Sequence, residues 1–177
     1  MARIALLGGT NFIGVHLFMA LMREEHDVVL FNRSITKPPI LFPNTIEFII
    51  GDRNIPTDFE NLFRRDFDIV FDISGRQLNQ VKPIISKYRD RIGHYIFCSS
   101  TNVYARPPAN PMIETSPRAK AETEIGRSKV LIEDLLLRQH KKDAWPITIV
   151  RPQGVFGPYD PWLVGLIYHR LKNSLPI

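Results

Sequence analysis

The stretch Arg3-Ile4-Ala5-Leu6-Leu7-Gly8-Gly9-Thr10-Asn11-Phe12-Ile13-Gly14 constrains the fold more than any other part of the chain. An apolar run stops at paired glycines, a third glycine follows, and an apolar helical pattern begins with Val15, Leu17, Phe18, Leu21 and Met22. The pattern reads as a strand, a tight turn and a helix start. Gly8 permits the turn, and Gly14 lets the helix pack close on the strand. The unpaired N–H groups at such a helix N-terminus suit an anion, above all a pyrophosphate.

The rest of the chain keeps alternating in the same way. Short apolar runs rich in Ile, Val and Phe at 2–8, 27–32, 46–50, 68–73, 93–98 and 147–151 predict buried parallel strands. Helical patterns at about 12–24, 58–65, 78–90 and 122–140 fill the gaps. Such alternation means right-handed βαβ units and an open parallel sheet with helices on both faces. The expected fold is therefore α/β: a Rossmann-type, doubly wound parallel sheet in three αβα layers, built from two halves of three strands. Two proline-rich stretches, 34–45 and 105–118, are irregular. The second follows the fifth strand, at the ligand-binding edge of such a sheet, where it is placed to contact substrate.

Composition narrows the function classes. A chain of 177 residues has room for one domain over 1–177 with a real core, and 44% hydrophobic residues argue against disorder. No apolar run reaches membrane-spanning length, and the N-terminus enters a strand rather than a signal peptide. The single cysteine, Cys98, leaves no internal disulfide, so a reducing cytoplasm is the expectation, with Cys98 as a small core residue. His16, His26, His94, His140 and His169 show no metal-ligand spacing and are read as structural, with no metal expected. The net charge of +5 permits a nucleotide and also nucleic acid. The basic residues are spread along helix faces with no aromatic-interleaved stripe, which disfavours nucleic acid.

Four motifs in order, Gly8 to Gly14, Gly51-Asp52, Ser99-Ser100-Thr101-Asn102-Val103-Tyr104 and Arg151-Pro152-Gln153-Gly154-Val155-Phe156-Gly157-Pro158, span nearly the whole chain. In these the sequence resembles the extended short-chain dehydrogenase/reductases, the NAD-dependent epimerase/dehydratases of sugar nucleotides. Leu30-Phe31-Asn32-Arg33, Gly51-Asp52-Arg53 and Phe71-Asp72-Ile73-Ser74-Gly75-Arg76 resemble an atypical branch that includes the chloroplast stem-loop-binding proteins. The resemblance implies cofactor contacts from Gly8, Thr10, Asn11, Phe12, Ile13, Gly14, Asn32, Arg33, Asp52, Ser74, Gly75, Lys129 and Pro152. It implies catalytic roles for Ser100 and Lys129, NADP or NAD as cofactor, a nucleotide-sugar or related substrate, and a homodimer as one form of assembly.

Four departures from the family pattern bear on function. Asn11 stands at the usual middle glycine; Asn tolerates left-handed backbone better than most residues, so the turn is expected to survive the change. The second strand ends in Asn32-Arg33 rather than in an acidic residue, about 20 residues after the glycine turn. Losing that carboxylate removes repulsion toward a 2′-phosphate, and Arg33 offers it a partner, which favours NADP while leaving NAD open. The family's catalytic Tyr-Lys pair, four residues apart on one helix face, becomes Ile125 and Lys129, so the proton-transferring phenol is missing. Tyr168 and Lys172 share that spacing but come after the sixth strand, and Tyr168 is expected on a helix face with Val164, Leu171 and Leu175. Finally, the chain stops one helix after Arg151-Pro152, so the family's smaller C-terminal substrate region is expected to be absent or truncated. The rival expectation is a non-catalytic nucleotide- or RNA-binding scaffold. Asp72, inside an apolar strand, is either a buried group with a local partner or a group near the cofactor.

Overall fold

A computed structural model describes residues 1–35, 37–118, 123–160 and 162–176. Six strands form one parallel sheet: β1 (Arg3–Leu7), β2 (Asp27–Asn32), β3 (Glu47–Ile50), β4 (Phe67–Asp72), β5 (Ile92–Cys98) and β6 (Ile147–Val150). Their order is β3-β2-β1-β4-β5-β6. The chain winds outward from β1 through β2 to β3, then crosses back to lay β4 on the other side of β1. The strand order therefore reverses between β1 and β4, and the C-terminal ends of those two strands flank the crevice where such sheets bind ligands.

Among the described residues, five α-helices connect or follow the strands: α1 (Ile13–Arg23), α2 (Pro56–Leu62), α3 (Leu78–Pro83), α4 (Glu124–Asp143) and α5 (Leu163–Lys172). The pleat sends alternate side chains to opposite faces. Ile4, Leu6, Val28 and Leu30 meet Phe18 and Leu21 of α1, with Phe42 of the irregular 34–45 stretch and Ile46 just after it extending that layer. Ala5, Leu7, Val29, Phe31, Val70, Tyr95 and Phe97 face the other way, onto Phe59 and Leu62 of α2, Val81 of α3, and Ile132 and Leu136 of α4. Both faces of β1 are covered, which is why its sequence reads as an unbroken apolar run.

The predicted helix 78–90 is interrupted. Pro83 has no N–H to continue an α-helical ladder, and the chain passes through a π-type turn at Ile84–Tyr88 and a 3-10 turn at Arg89–Arg91. Helix α4 begins with Thr123, whose side chain accepts from the Gly126 N–H at 3.0 Å. The predicted start of this helix at residue 122 lies outside the described residues.

Candidate cofactor and substrate site

The turn after β1 is built around two glycines. Gly8 has φ +103°, and a Cβ there would sit 2.9 Å from the Ser74 Cβ. A Cβ on Gly14 would lie 2.0 Å from the Gly8 carbonyl oxygen, so α1 approaches β1 as only glycine allows. The turn forms with Asn11 in place of the middle glycine, and the non-glycine residue with positive φ there is Phe12 (φ 38°), at the N-cap, rather than Asn11. Asn11 instead turns the chain by accepting from the Gly14 N–H at 2.9 Å through its carbonyl. The first turn of α1 carries no acidic residue, so the positive end of the helix dipole is not neutralised by its own side chains.

In front of this turn lies a cleft of about 550 Å³ at the C-terminal ends of β1, β2 and β4. It gathers Gly8, Thr10, Asn11, Phe12, Ile13, Asn32, Arg33, Asp52 and Ser74, nine of the residues the sequence singles out. Gly14 sits beneath the turn. Asn32 is nearly buried, accepts weakly from the Thr10 hydroxyl at 3.4 Å, and keeps its amide Nδ2 without a hydrogen-bond partner. An orphaned donor beside a polar cleft fits a ligand hydroxyl. Arg33 is well exposed and lies 3.9 Å from the Asp52 carboxylate. Asp52 also accepts from the Asn54 N–H at 2.9 Å and from the Asn54 side chain at 2.7 Å. The donors, the glycine turn and the helix end together fit a dinucleotide.

Below the cleft is a buried ion pair that explains Asp72. The two terminal guanidinium nitrogens of Arg53, Nη1 and Nη2, donate to its two carboxylate oxygens at 2.7 Å. The Tyr95 hydroxyl donates to it at 2.6 Å and the Gly75 N–H at 2.7 Å. Burial works to raise the Asp72 pKa, but the Arg53 charge and the hydrogen bonds from Arg53 and Tyr95 outweigh it and hold the carboxyl below the ordinary Asp value. Arg53 also donates to the Ser74 hydroxyl at 2.9 Å and the Gln80 carbonyl at 3.1 Å. It thereby ties the loop after β3 to the loop after β4, which forms one wall of the cleft.

Lys129 reaches the same place from α4. Its ammonium donates at 2.6 Å to the carbonyls of Gly75 and of Cys98, and sits 4.4 Å from the centre of the Phe97 ring. Burial lowers its pKa, with the Asp72 charge acting against that shift. Gly75 thus serves through its backbone, donating to Asp72 and accepting from Lys129. Ser100, just after β5, accepts from the Asn102 N–H at 3.2 Å and starts a 3-10 turn. Pro152 accepts from the Thr101 N–H at 3.1 Å and does not line the cleft. Ile125, one turn before Lys129, is 56% exposed and has no group able to move a proton.

A second buried cluster lies at the ends of β5 and β6. The Glu133 carboxylate, fully buried one turn after Lys129, accepts from the Ser99 hydroxyl at 2.5 Å, from Arg118 at 3.1 Å and from Arg151 at 3.0 and 2.8 Å. Arg151 also donates to the Tyr104 hydroxyl at 2.9 Å. One side chain of α4 therefore holds the ends of β5 and β6 and the loop after Tyr104. Thr101, Asn102, Tyr104, Arg106, Gln153 and Gly154 line a small cavity of about 250 Å³ there. Reading by motif caught Arg151 and Tyr104 but missed Glu133 and Arg118, whose roles depend on pairing across the fold. The exposed indole of Trp162, also unforeseen, borders the larger cleft.

The remaining sequence readings find these places. All five histidines hydrogen-bond within the chain, His16 to the Pro158 carbonyl at 2.9 Å among them. Among the described residues no cluster of three metal-ligating side chains occurs. No described helix is long and apolar enough to cross a membrane. Cys98 is partly buried, and burial raises its thiol pKa. The expectation that Tyr168 packs is corrected: Tyr168, Val164 and Leu171 of α5 are exposed, as is Leu175, which lies beyond the end of that helix.

Comparison with known proteins agrees with this geometry. The chloroplast stem-loop binding protein of 41 kDa b of Arabidopsis thaliana is 34% identical, over 99% of this chain and 48% of that protein. The UDP-glucose 4-epimerase of a Neisseria meningitidis serogroup B strain is 27% identical, over 99% of this chain and 59% of the enzyme. The chain thus spans about half to three fifths of the length of these relatives. A UDP-glucose 4-epimerase of Thermotoga maritima solved with UDP-glucose superposes with a TM-score of 0.84 at 18% identity, covering 99% of this chain and 64% of that one. The dTDP-glucose 4,6-dehydratase of Bacillus anthracis, solved with NAD, gives 0.80 at 17% identity, covering 98% and 62%. The defining pattern of one family matches residues 4–173, and on that match the chain belongs to the NAD dependent epimerase/dehydratase family.

Proposed function

We propose that the chain binds NAD(P) in the cleft before α1 and serves an epimerase- or dehydratase-type reaction at a carbinol of a nucleotide-sugar. The observation that carries this reading is the cleft itself, where the Gly8–Gly14 turn, the orphaned Asn32 amide and the Asp52 loop meet at the sheet's switch point. Gly8 and the N–H groups at the start of α1 hold the pyrophosphate. Asn32 and Arg33 face the adenosine ribose, and Asp52 the adenine. The nicotinamide, when bound, supplies hydride transfer. Lys129 holds positive charge at the ends of β4 and β5, and Ser100 offers a hydroxyl to a substrate oxygen. A cytoplasmic site of action, supported by the single cysteine, belongs to the same reading.

Within that reading the cofactor is NADP in preference to NAD, supported by the exposed Arg33 and the missing carboxylate at the end of β2. Titration of the protein with NADPH and NADH, followed by fluorescence or calorimetry, tests both statements. Saturable binding is expected, with Arg33→Ala weakening NADPH about tenfold and NADH little. No binding of either cofactor to folded protein refutes the site. Equal losses for both refute the role of Arg33.

Ile125 favours a second reading, a non-catalytic nucleotide- or RNA-binding scaffold on the same fold. An exposed isoleucine where the family places its phenol removes a proton carrier. The Arabidopsis relative, by its name, binds stem-loops. Tight binding to structured RNA without nucleotide-sugar turnover, in protein that includes any downstream region, would select this reading.

A further inference from the structure

Three arginines border the cofactor cleft, and their surroundings differ. Arg53 is buried and held by both oxygens of Asp72. Arg33 lies opposite Asp52 at 3.9 Å. The guanidinium of Arg76 is exposed and has no hydrogen bond or ion pair among the described residues. Its backbone, by contrast, is fixed: the Arg76 N–H donates to the Gln80 side chain at 3.0 Å, and Gln80 in turn donates to Asn54 at 3.1 Å. Ser74, two residues earlier, packs against Gly8, and Arg76 lines the same cleft as the glycine turn.

We propose that Arg76 is the side chain that pairs with the cofactor's diphosphate, closing over it from the β4 side opposite the start of α1. The argument rests on the cofactor reading of the cleft. A diphosphate brings two negative charges to a site where Asp72 is already neutralised by Arg53 and Asp52 faces Arg33. The dipole of α1 supplies only a partial charge. A planar guanidinium on an anchored backbone pairs with phosphate oxygens in a forked geometry while giving up few backbone degrees of freedom.

The test is calorimetric titration of the wild-type protein, Arg76→Ala and Arg76→Lys with ADP-ribose, 2′-phospho-ADP-ribose and adenosine. Thermal unfolding checks that the variants fold. Arg76→Ala is expected to weaken ADP-ribose about ten- to a hundredfold, with Arg76→Lys in between and adenosine unchanged. Unchanged ADP-ribose affinity in Arg76→Ala overturns the proposal while leaving the cofactor site standing. A loss confined to the 2′-phosphorylated ligand overturns it in favour of a ribose-phosphate contact. Failure of the wild type to bind ADP-ribose overturns the cofactor reading and this proposal together.

Discussion

Arg53→Met tests whether the buried pair beneath the cleft is as important to the fold as its geometry implies. The substitution keeps much of the side-chain length and removes both 2.7 Å contacts to Asp72. Removing one partner of a buried ion pair costs about 3–5 kcal/mol, because the other charge stays buried. Tyr95 and the Gly75 N–H still donate to the carboxylate, which points to the lower end, about 3 kcal/mol. For a chain of this size that is a fall in Tm of about 6–12 °C, at about 2–4 °C per kcal/mol. The pH dependence carries a sign that ordinary packing loss would not. In the wild type the Asp72 pKa is held low, so its contribution is present above the unfolded carboxylate value and lost as pH falls through the folded one. In Arg53→Met, burial dominates and the carboxyl pKa rises above its unfolded value. That variant then loses stability as pH rises from about 4, and the gap to wild type is widest near neutrality and narrows in acid. Urea titrations across this range read both curves. A loss under about 1 kcal/mol, or a gap that does not change with pH, would refute the reasoning.

Gly14→Ala should lower stability and abolish NAD(P) binding, since its methyl would fall 2.0 Å from the Gly8 carbonyl; an alanine variant that binds NADH like wild type would show that α1 has room to move. Ile125→Tyr restores a phenol one turn from Lys129 on an exposed position and should raise nucleotide-sugar turnover roughly 10²–10⁴-fold, with little effect on Tm. The assay follows cofactor reduction or epimerisation over a panel of nucleotide-sugars. Robust wild-type turnover that is unchanged in Ile125→Phe would mean that another residue supplies the proton.

The sequence by itself determined the alternation of strands and helices, the turn from Gly8 to Gly14, and the cluster of cleft-lining residues near it. Strands, turn and the residues lining the cleft are legible because each is written locally: in the period of apolar residues, in glycines, and in motifs a few residues long. The tertiary structure decided what pairs with what. Arg53 and Asp72 meet because the crossover that leaves β3 runs back across the sheet ends to β4, on the far side of β1. Lys129 reaches the Gly75 and Cys98 carbonyls only once α4 lies over β4 and β5. Glu133 reads as one more charge on a helix until the fold encloses it with Ser99, Arg118 and Arg151. The backbone of the turn likewise emerges only in the structure, where Gly8 and Phe12 take positive φ. Periodicity tells which face of an element is buried; a buried charge needs a partner, and only the strand order says which partner is within reach.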